Sequence, residues 1–113
     1  MSEIVLKFSE PLPGMILRGE KDITWRVTDY NVQVGDTLVL CHNDGREFGR
    51  AKALWVKKTT FGSFTAEDTQ GHEQFSSEED MYKTYSTYYR KKITSETEVF
   101  VIKFELLNKL HSS

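Results

Sequence analysis

Only one cysteine, Cys41, occurs in the 113 residues, so no disulfide can form within the chain. A lone free thiol suits a reducing compartment. Prolines are also scarce, with Pro11 and Pro13 the only two, and no apolar run approaches the ~20 residues that cross a bilayer. The opening Met1-Ser2-Glu3 lacks the basic flank and apolar stretch of a signal peptide, so a cytoplasmic location without a membrane partner is expected. Positive charge is not in surplus: 15 Lys and Arg stand against 17 Asp and Glu, a formal net charge of −2. Phosphate contacts supply most of the affinity of a duplex binder, so duplex DNA is not an expected partner. The three histidines, His42, His72 and His111, lie far apart with no Cys or His at ligand spacing. No metal and no cofactor are expected.

Hydrophobic residues make up 38% and charged residues 28%, a balance that suits a folded chain and one core. A single domain over 1–113 is expected. Ile4 to Phe8 reads as a first strand, which Pro11 and Pro13 end. Met15-Ile16-Leu17 suggests one or two helical turns from Gly14, with Gly19 as the stop. Ile23 to Thr28 alternates as a half-buried strand does, with Ile23, Trp25 and Val27 on one face and Thr24, Arg26 and Thr28 on the other. The turn Gln33-Val34-Gly35-Asp36 feeds a strand from Thr37 to Cys41, whose thiol is expected to be buried. Asn43-Asp44-Gly45 predicts a hairpin into a strand from Phe48 to Lys57, with Gly49 at a bulge. Residues 65–75 read as polar and irregular. Ser76 as N-cap with Glu79 three residues on predicts a helix whose face Met81, Tyr85, Tyr88 and Tyr89 packs in the core. Val99 to Leu106 is the last strand. The order β-α-β-β-β-α-β with short turns predicts a mixed α+β barrel with two to three short helices.

The chemistry concentrates in Gly19-Glu20-Lys21-Asp22-Ile23-Thr24-Trp25-Arg26. Thr24 and Arg26 are two apart on a strand and share its polar face. Lys21 precedes that strand in a turn that a glycine opens, so its amine can be aimed back along the same face. A threonine hydroxyl is too weak an acid to attack unaided, and a neutral amine beside it can take its proton. Such an amine needs a lowered pKa, from burial or from a neighbouring cation such as Arg26. The same three residues also describe the wet side of an ordinary surface strand.

The stretch Met15 to Arg26, with its Gly-x-Lys-x-x-Thr-x-Arg core, resembles the opening signature of ASCH domains. The turn Val34-Gly35-Asp36 and the closing strand around Val99 to Phe104 are similar to that family as well. The resemblance implies a PUA-like barrel and a nucleoside or single-stranded RNA ligand. The Thr form resembles the small bacterial branch of N(4)-acetylcytidine amidohydrolases, in which a Lys, the Thr and a downstream Glu are the proposed catalytic set. It implies catalytic roles for Lys21 and Thr24, and for an acid near the later helix. Glu73 is the best match, with Glu67, Glu78 and Glu79 as rivals. Arg26 would bind substrate. Two other readings stand beside this one: an RNA-binding module without catalysis, and an RNA-cleaving ASCH enzyme in which Lys21 and Arg26 stabilise a phosphorane.

Trp25 is expected in the core, opposite Thr24. Trp55, Phe61 and Phe64 near Lys57-Lys58 are candidate base-stacking platforms, although aromatics in so small a barrel mostly fill its core. Arg90-Lys91-Lys92 reads as a solvated helix end.

Overall fold

The first strand ends at Phe8, ahead of the two prolines, as expected, but the helix that follows starts at Leu12, two residues before Gly14. In the computed structural model, which describes residues 2–109, the first helix runs through Pro13. Strand β1 (Glu3–Phe8) leads into α1 (Leu12–Leu17), with Pro13 in the first turn, where its missing N–H leaves no helical bond unmade. Helix α1 ends at Gly19 as predicted. Gly19 takes φ +80°, its N–H reaches Ile16 O at 3.0 Å, and the Glu20 N–H reaches Met15 O at 2.8 Å. These two bonds form a Schellman cap.

Strands β2 (Ile23–Arg26), β3 (Thr37–His42), β4 (Glu47–Thr60) and β5 (Glu98–Lys109) complete a curled five-stranded half-barrel in the order β1-β3-β4-β5-β2. Only β1 and β3 pair in parallel; β3-β4, β4-β5 and β5-β2 are antiparallel. The β3–β4 hairpin turns at Gly45, φ +93°, and the ladder shifts register beside Gly49, where Leu40 pairs with Gly49 but Cys41 with Glu47. Strand β2 stops at Arg26, two residues earlier than expected, because the next N–H, that of Val27, turns away to the Tyr89 hydroxyl at 3.1 Å. Strands β4 and β5 each run three residues past their predicted ends, Lys57 and Leu106, and pair with each other over most of their length.

The supposedly irregular residues 65–75 contain a short helix, α2 (Ala66–Thr69). Thr65 and Asp68 form a reciprocal capping box that starts it. Helix α3 (Glu78–Tyr89) is capped by Ser77, which accepts the Asp80 N–H at 3.0 Å, rather than by Ser76 with Glu79. Ser76 binds the Asp80 side chain instead. Arg90 closes α3 at φ 52°, with Lys91 and Lys92 exposed beyond it.

Curling gives the sheet two cores. Inside it, Leu6, Phe8, Ile16, Leu38, Leu40, Phe48, Ile102 and Phe104 pack together. Outside it, Ile23, Trp25, Val99 and Val101 pack against Phe61, Met81, Tyr85 and Ile93. Cys41 is buried. No helix among the described residues is long and apolar enough to cross a membrane.

Candidate functional site

Strands β1 and β2 are the two edges of the half-barrel, and no ladder joins them. Arg26 spans the seam: its Nη2 donates to Lys7 O at 2.9 Å, and its guanidinium lies over the Phe8 ring, 4.5 Å from the centroid. At this seam opens a cleft of about 330 Å³. Lys7, Phe8 and Ser9 line one side, and Lys21, Thr24 and Arg26 the other. Glu73 comes from the loop after α2; Tyr85, Tyr88 and Tyr89 come from α3.

Strand alternation puts Thr24 and Arg26 on the same face, and here the Arg26 Nε donates to Thr24 Oγ1 at 3.1 Å. Thr24 is only 4% exposed, so this face is the wall of a cleft and not a wet surface. Trp25 points the other way, into the outer core, although an edge of it reaches the cleft.

Lys21 is buried, with 2% exposure. Its ammonium donates to Ile23 O at 2.6 Å and to Glu73 Oε1 at 2.5 Å. Burial pulls its pKa down from 10.5 to about 8, even though the Glu73 carboxylate pushes the other way; Arg26 adds a smaller downward push. Glu67, Glu78 and Glu79, the rival acids, are exposed and do not line the cleft.

The loop that delivers Glu73 is fastened to the lead-in of β2. Gly71 O accepts the N–H of Asp22 at 2.9 Å and of Ile23 at 3.3 Å. Gly71 takes φ +90°, and a Cβ there would fall 2.0 Å from Asp22 Oδ1, so only glycine fits. Lys103 holds the other Asp22 oxygen at 2.8 Å.

Two groups that matter here do not announce themselves in the sequence. His72, considered only as a metal ligand, is buried and stacks on Trp25 with centroids 3.5 Å apart and planes 10° apart. Its adjacency to Gly71 and Glu73 is the one local signal. The tyrosines of α3 were expected to pack in the core together. Met81 and Tyr85 do, and Tyr89 packs half-buried against them, but Tyr88 is 51% exposed, and all three tyrosines line the cleft. A helical face read from periodicity cannot distinguish a core from a cleft beside it. Of the other aromatics, Phe61 is buried in the outer core, and Trp55 and Phe64 pack against it. None of the three lines the cleft. Among the described residues no cluster of His, Cys, Asp and Glu is arranged to hold a metal ion, and His111 lies outside them.

No protein-family model matches the chain, and no curated protein matches it in sequence. Solved structures do. The ASCH domain from Lactobacillus crispatus superposes with TM-score 0.70 at 15% identity, over 93% of this chain and 79% of that one. The ASCH protein from Zymomonas mobilis gives 0.66 at 9% identity, over 95% and 71%. A protein from Enterococcus faecalis gives 0.75 at 12%, over 94% and 77%. At these identities the likeness concerns architecture, and the chain has the curled α+β fold of ASCH domain structures.

Proposed function

We propose that the chain is an ASCH-type amidohydrolase that removes an acyl group from the exocyclic amine of a pyrimidine nucleoside such as N(4)-acetylcytidine. The observation that carries this reading is the buried Lys21–Glu73 pair, which shares one cleft with the Arg26-bound hydroxyl of Thr24. A lysine with a pKa of about 8 is neutral in roughly one molecule in ten at pH 7, enough to serve as a base.

Neutral Lys21 takes the Thr24 proton as Oγ1 bonds to the amide carbon. The carbonyl oxygen becomes an oxyanion, and Arg26 Nη1, which has no partner among the described residues, is available to hold it. The hydrogen bond from Arg26 Nε also stabilises charge on Oγ1 as it develops. When the C–N bond breaks, the proton on Lys21 passes through Glu73 to the leaving amine. Glu73 then draws a proton from water as the water oxygen bonds to the acyl carbon of the threonine ester. The same proton goes to Thr24 Oγ1 as the ester C–O bond breaks, which frees the acid and restores the hydroxyl and the Glu73 carboxylate. Phe8, Tyr30, Tyr88 and Tyr89 give the cleft the flat apolar walls that suit a pyrimidine ring.

The test is to incubate the purified protein with N(4)-acetylcytidine and follow cytidine and acetate by chromatography. An unmodified RNA oligomer is treated in parallel. Deacylation by the wild-type protein that is lost in Lys21→Met is expected. Cleavage of the oligomer, or nucleoside binding without turnover, would overturn the proposal.

A further inference from the structure

Glu73 has a second neighbour besides Lys21, and the hydrogen-bond pattern determines that neighbour's state. The Nδ1 of His72 lies 2.8 Å from the Glu73 carbonyl oxygen and 3.3 Å from its carboxylate Oε1. Both are acceptors, so Nδ1 must carry the hydrogen. Nε2 is then bare, and the Tyr85 hydroxyl, 3.1 Å away, donates to it. Tyr85 is itself buried, and burial drives its pKa well above the usual value, so it remains a donor at all working pH values. The flat face of the same imidazole stacks on Trp25, the residue that follows Thr24. Trp25 is held in turn by its Nε1 donating to Asp68 O at 2.9 Å.

We propose that His72, keyed by Tyr85 and stacked on Trp25, is the positioning residue that sets Glu73 against Lys21. The proposal rests on the reading of Lys21 and Glu73 as the working pair. The design needs a neutral imidazole. An imidazolium would compete with Lys21 for the one carboxylate, whereas a neutral ring orients Glu73 and adds no charge. Burial, with the Lys21 charge nearby, pushes the His72 pKa down to about 2, which keeps the ring neutral. The stack also joins the Glu73 loop to the strand that bears Thr24, so acid and nucleophile move as one unit. The charged and titratable groups that share a cavity wall with Lys21 are Glu73 from the loop, Arg26 from β2, Tyr30, Tyr85, Tyr88 and Tyr89, and Lys7 from β1 on the cleft side, with Arg18, Asp22, Lys103 and Glu105 on the other; His72 feels the Lys21 charge from behind Glu73.

Two variants separate positioning from packing. His72→Phe keeps a ring for the Trp25 stack and removes the N–H. His72→Asn loses the ring and places an amide N–H where the Nδ1–H stands. The titration of Lys21 is followed by carbon NMR of its ε-methylene in the full, ligand-free chain. The midpoint should fall by at least about half a pH unit in His72→Phe, because a Glu73 carboxylate no longer held against Lys21 stabilises the ammonium less. It should stay near the wild-type value in His72→Asn. Turnover of N(4)-acetylcytidine should follow the same order: kcat down about tenfold in the Phe variant with KM little changed, and mostly recovered in the Asn variant. Nitrogen NMR of the wild-type protein should show His72 as the neutral Nδ1–H tautomer down to about pH 5.

An Nε2–H tautomer, a charged His72 at neutral pH, or a wild-type Lys21 midpoint in His72→Phe would overturn the proposal. Thermal melting identifies a variant that fails to fold. Tyr85→Phe then replaces it: it removes the donor that holds Nε2, leaves the Nδ1–H on the Glu73 carbonyl, and should lower the Lys21 midpoint as the ring loses its anchor; an unchanged midpoint also overturns the proposal. The NMR measurements need no substrate, so a protein that deacylates nothing would fail the functional reading and still test the positioning.

Discussion

Lys21→Met isolates the energetic consequence of burying an amine. The wild-type ammonium is 2% exposed and donates to Ile23 O and Glu73. Its pKa is about 8 in the folded protein against 10.5 for an unperturbed lysine, a difference of about 2.5 units. At ~1.36 kcal/mol per unit, that amounts to ~3 kcal/mol. The folded pKa is lowered, so between pH 8 and 10.5 the unfolded chain holds a proton that the native protein has released. Stability therefore rises with pH across that window, and below pH 8 the penalty is constant. Methionine fills nearly the same volume and has no proton to lose. Cys41 and the α3 tyrosines complicate the raw curve, because burial raises their pKa values and makes stability fall as pH climbs past 9 to 10. Both proteins carry these groups, so the difference between them cancels their effect. The assay is urea unfolding at half-unit steps from pH 7 to 10. The wild-type protein should gain ~2 kcal/mol on the variant by pH 10, nearly all of it above pH 8. A flat difference, or one of opposite sign, would refute a depressed Lys21 pKa and with it the base assigned to the reaction.

The other predictions are simpler. Thr24→Val should abolish deacylation, while nucleoside affinity by calorimetry drops only by the ~0.5–1.5 kcal/mol of one hydrogen bond; Thr24→Ser should retain activity. Gly71→Ala should destabilise the fold by more than ~1 kcal/mol in denaturant unfolding, since φ is +90° and the new Cβ meets Asp22 Oδ1 at 2.0 Å. Random duplex DNA should bind weakly at physiological salt in a filter or anisotropy assay, because the chain carries a net −2 charge.

Much of the fold could be read from local chemistry. The Asn43-Asp44-Gly45 hairpin and the Gly19 stop are legible because both turns need a positive φ, which glycine adopts without the strain a Cβ would bring. The alternation from Ile23 to Arg26 appears as two faces with two fates, Ile23 and Trp25 to the outer core and Thr24 and Arg26 to the cleft. The misreadings share a cause. Pro13, Ser77 and the Thr65–Asp68 box all mark helix starts, and residue type alone places none of them in register. Caps depend on which side chain reaches which N–H, and adjacent Ser76 and Ser77 cannot be told apart by residue type.

The site was less legible, for a different physical reason. Thr24 and Arg26 are joined by strand geometry, so a spacing of two suffices to bring them together. Lys21 and Glu73 are joined across fifty-two positions by the Gly71 carbonyl that grips Asp22 and Ile23, and nothing within either segment specifies that grip. The same folding event buries the lysine and stacks His72 on Trp25, creating the lowered pKa and the neutral imidazole together. Residue type supplies a hydroxyl, an amine and a carboxylate. Their protonation states belong to the tertiary structure, because desolvation depends on what covers a group and not on its sequence neighbours. A chain with Gly-x-Lys-x-x-Thr-x-Arg but no loop docked through a glycine would carry the same motif with an ordinary surface lysine, charged at neutral pH and unable to act as a base.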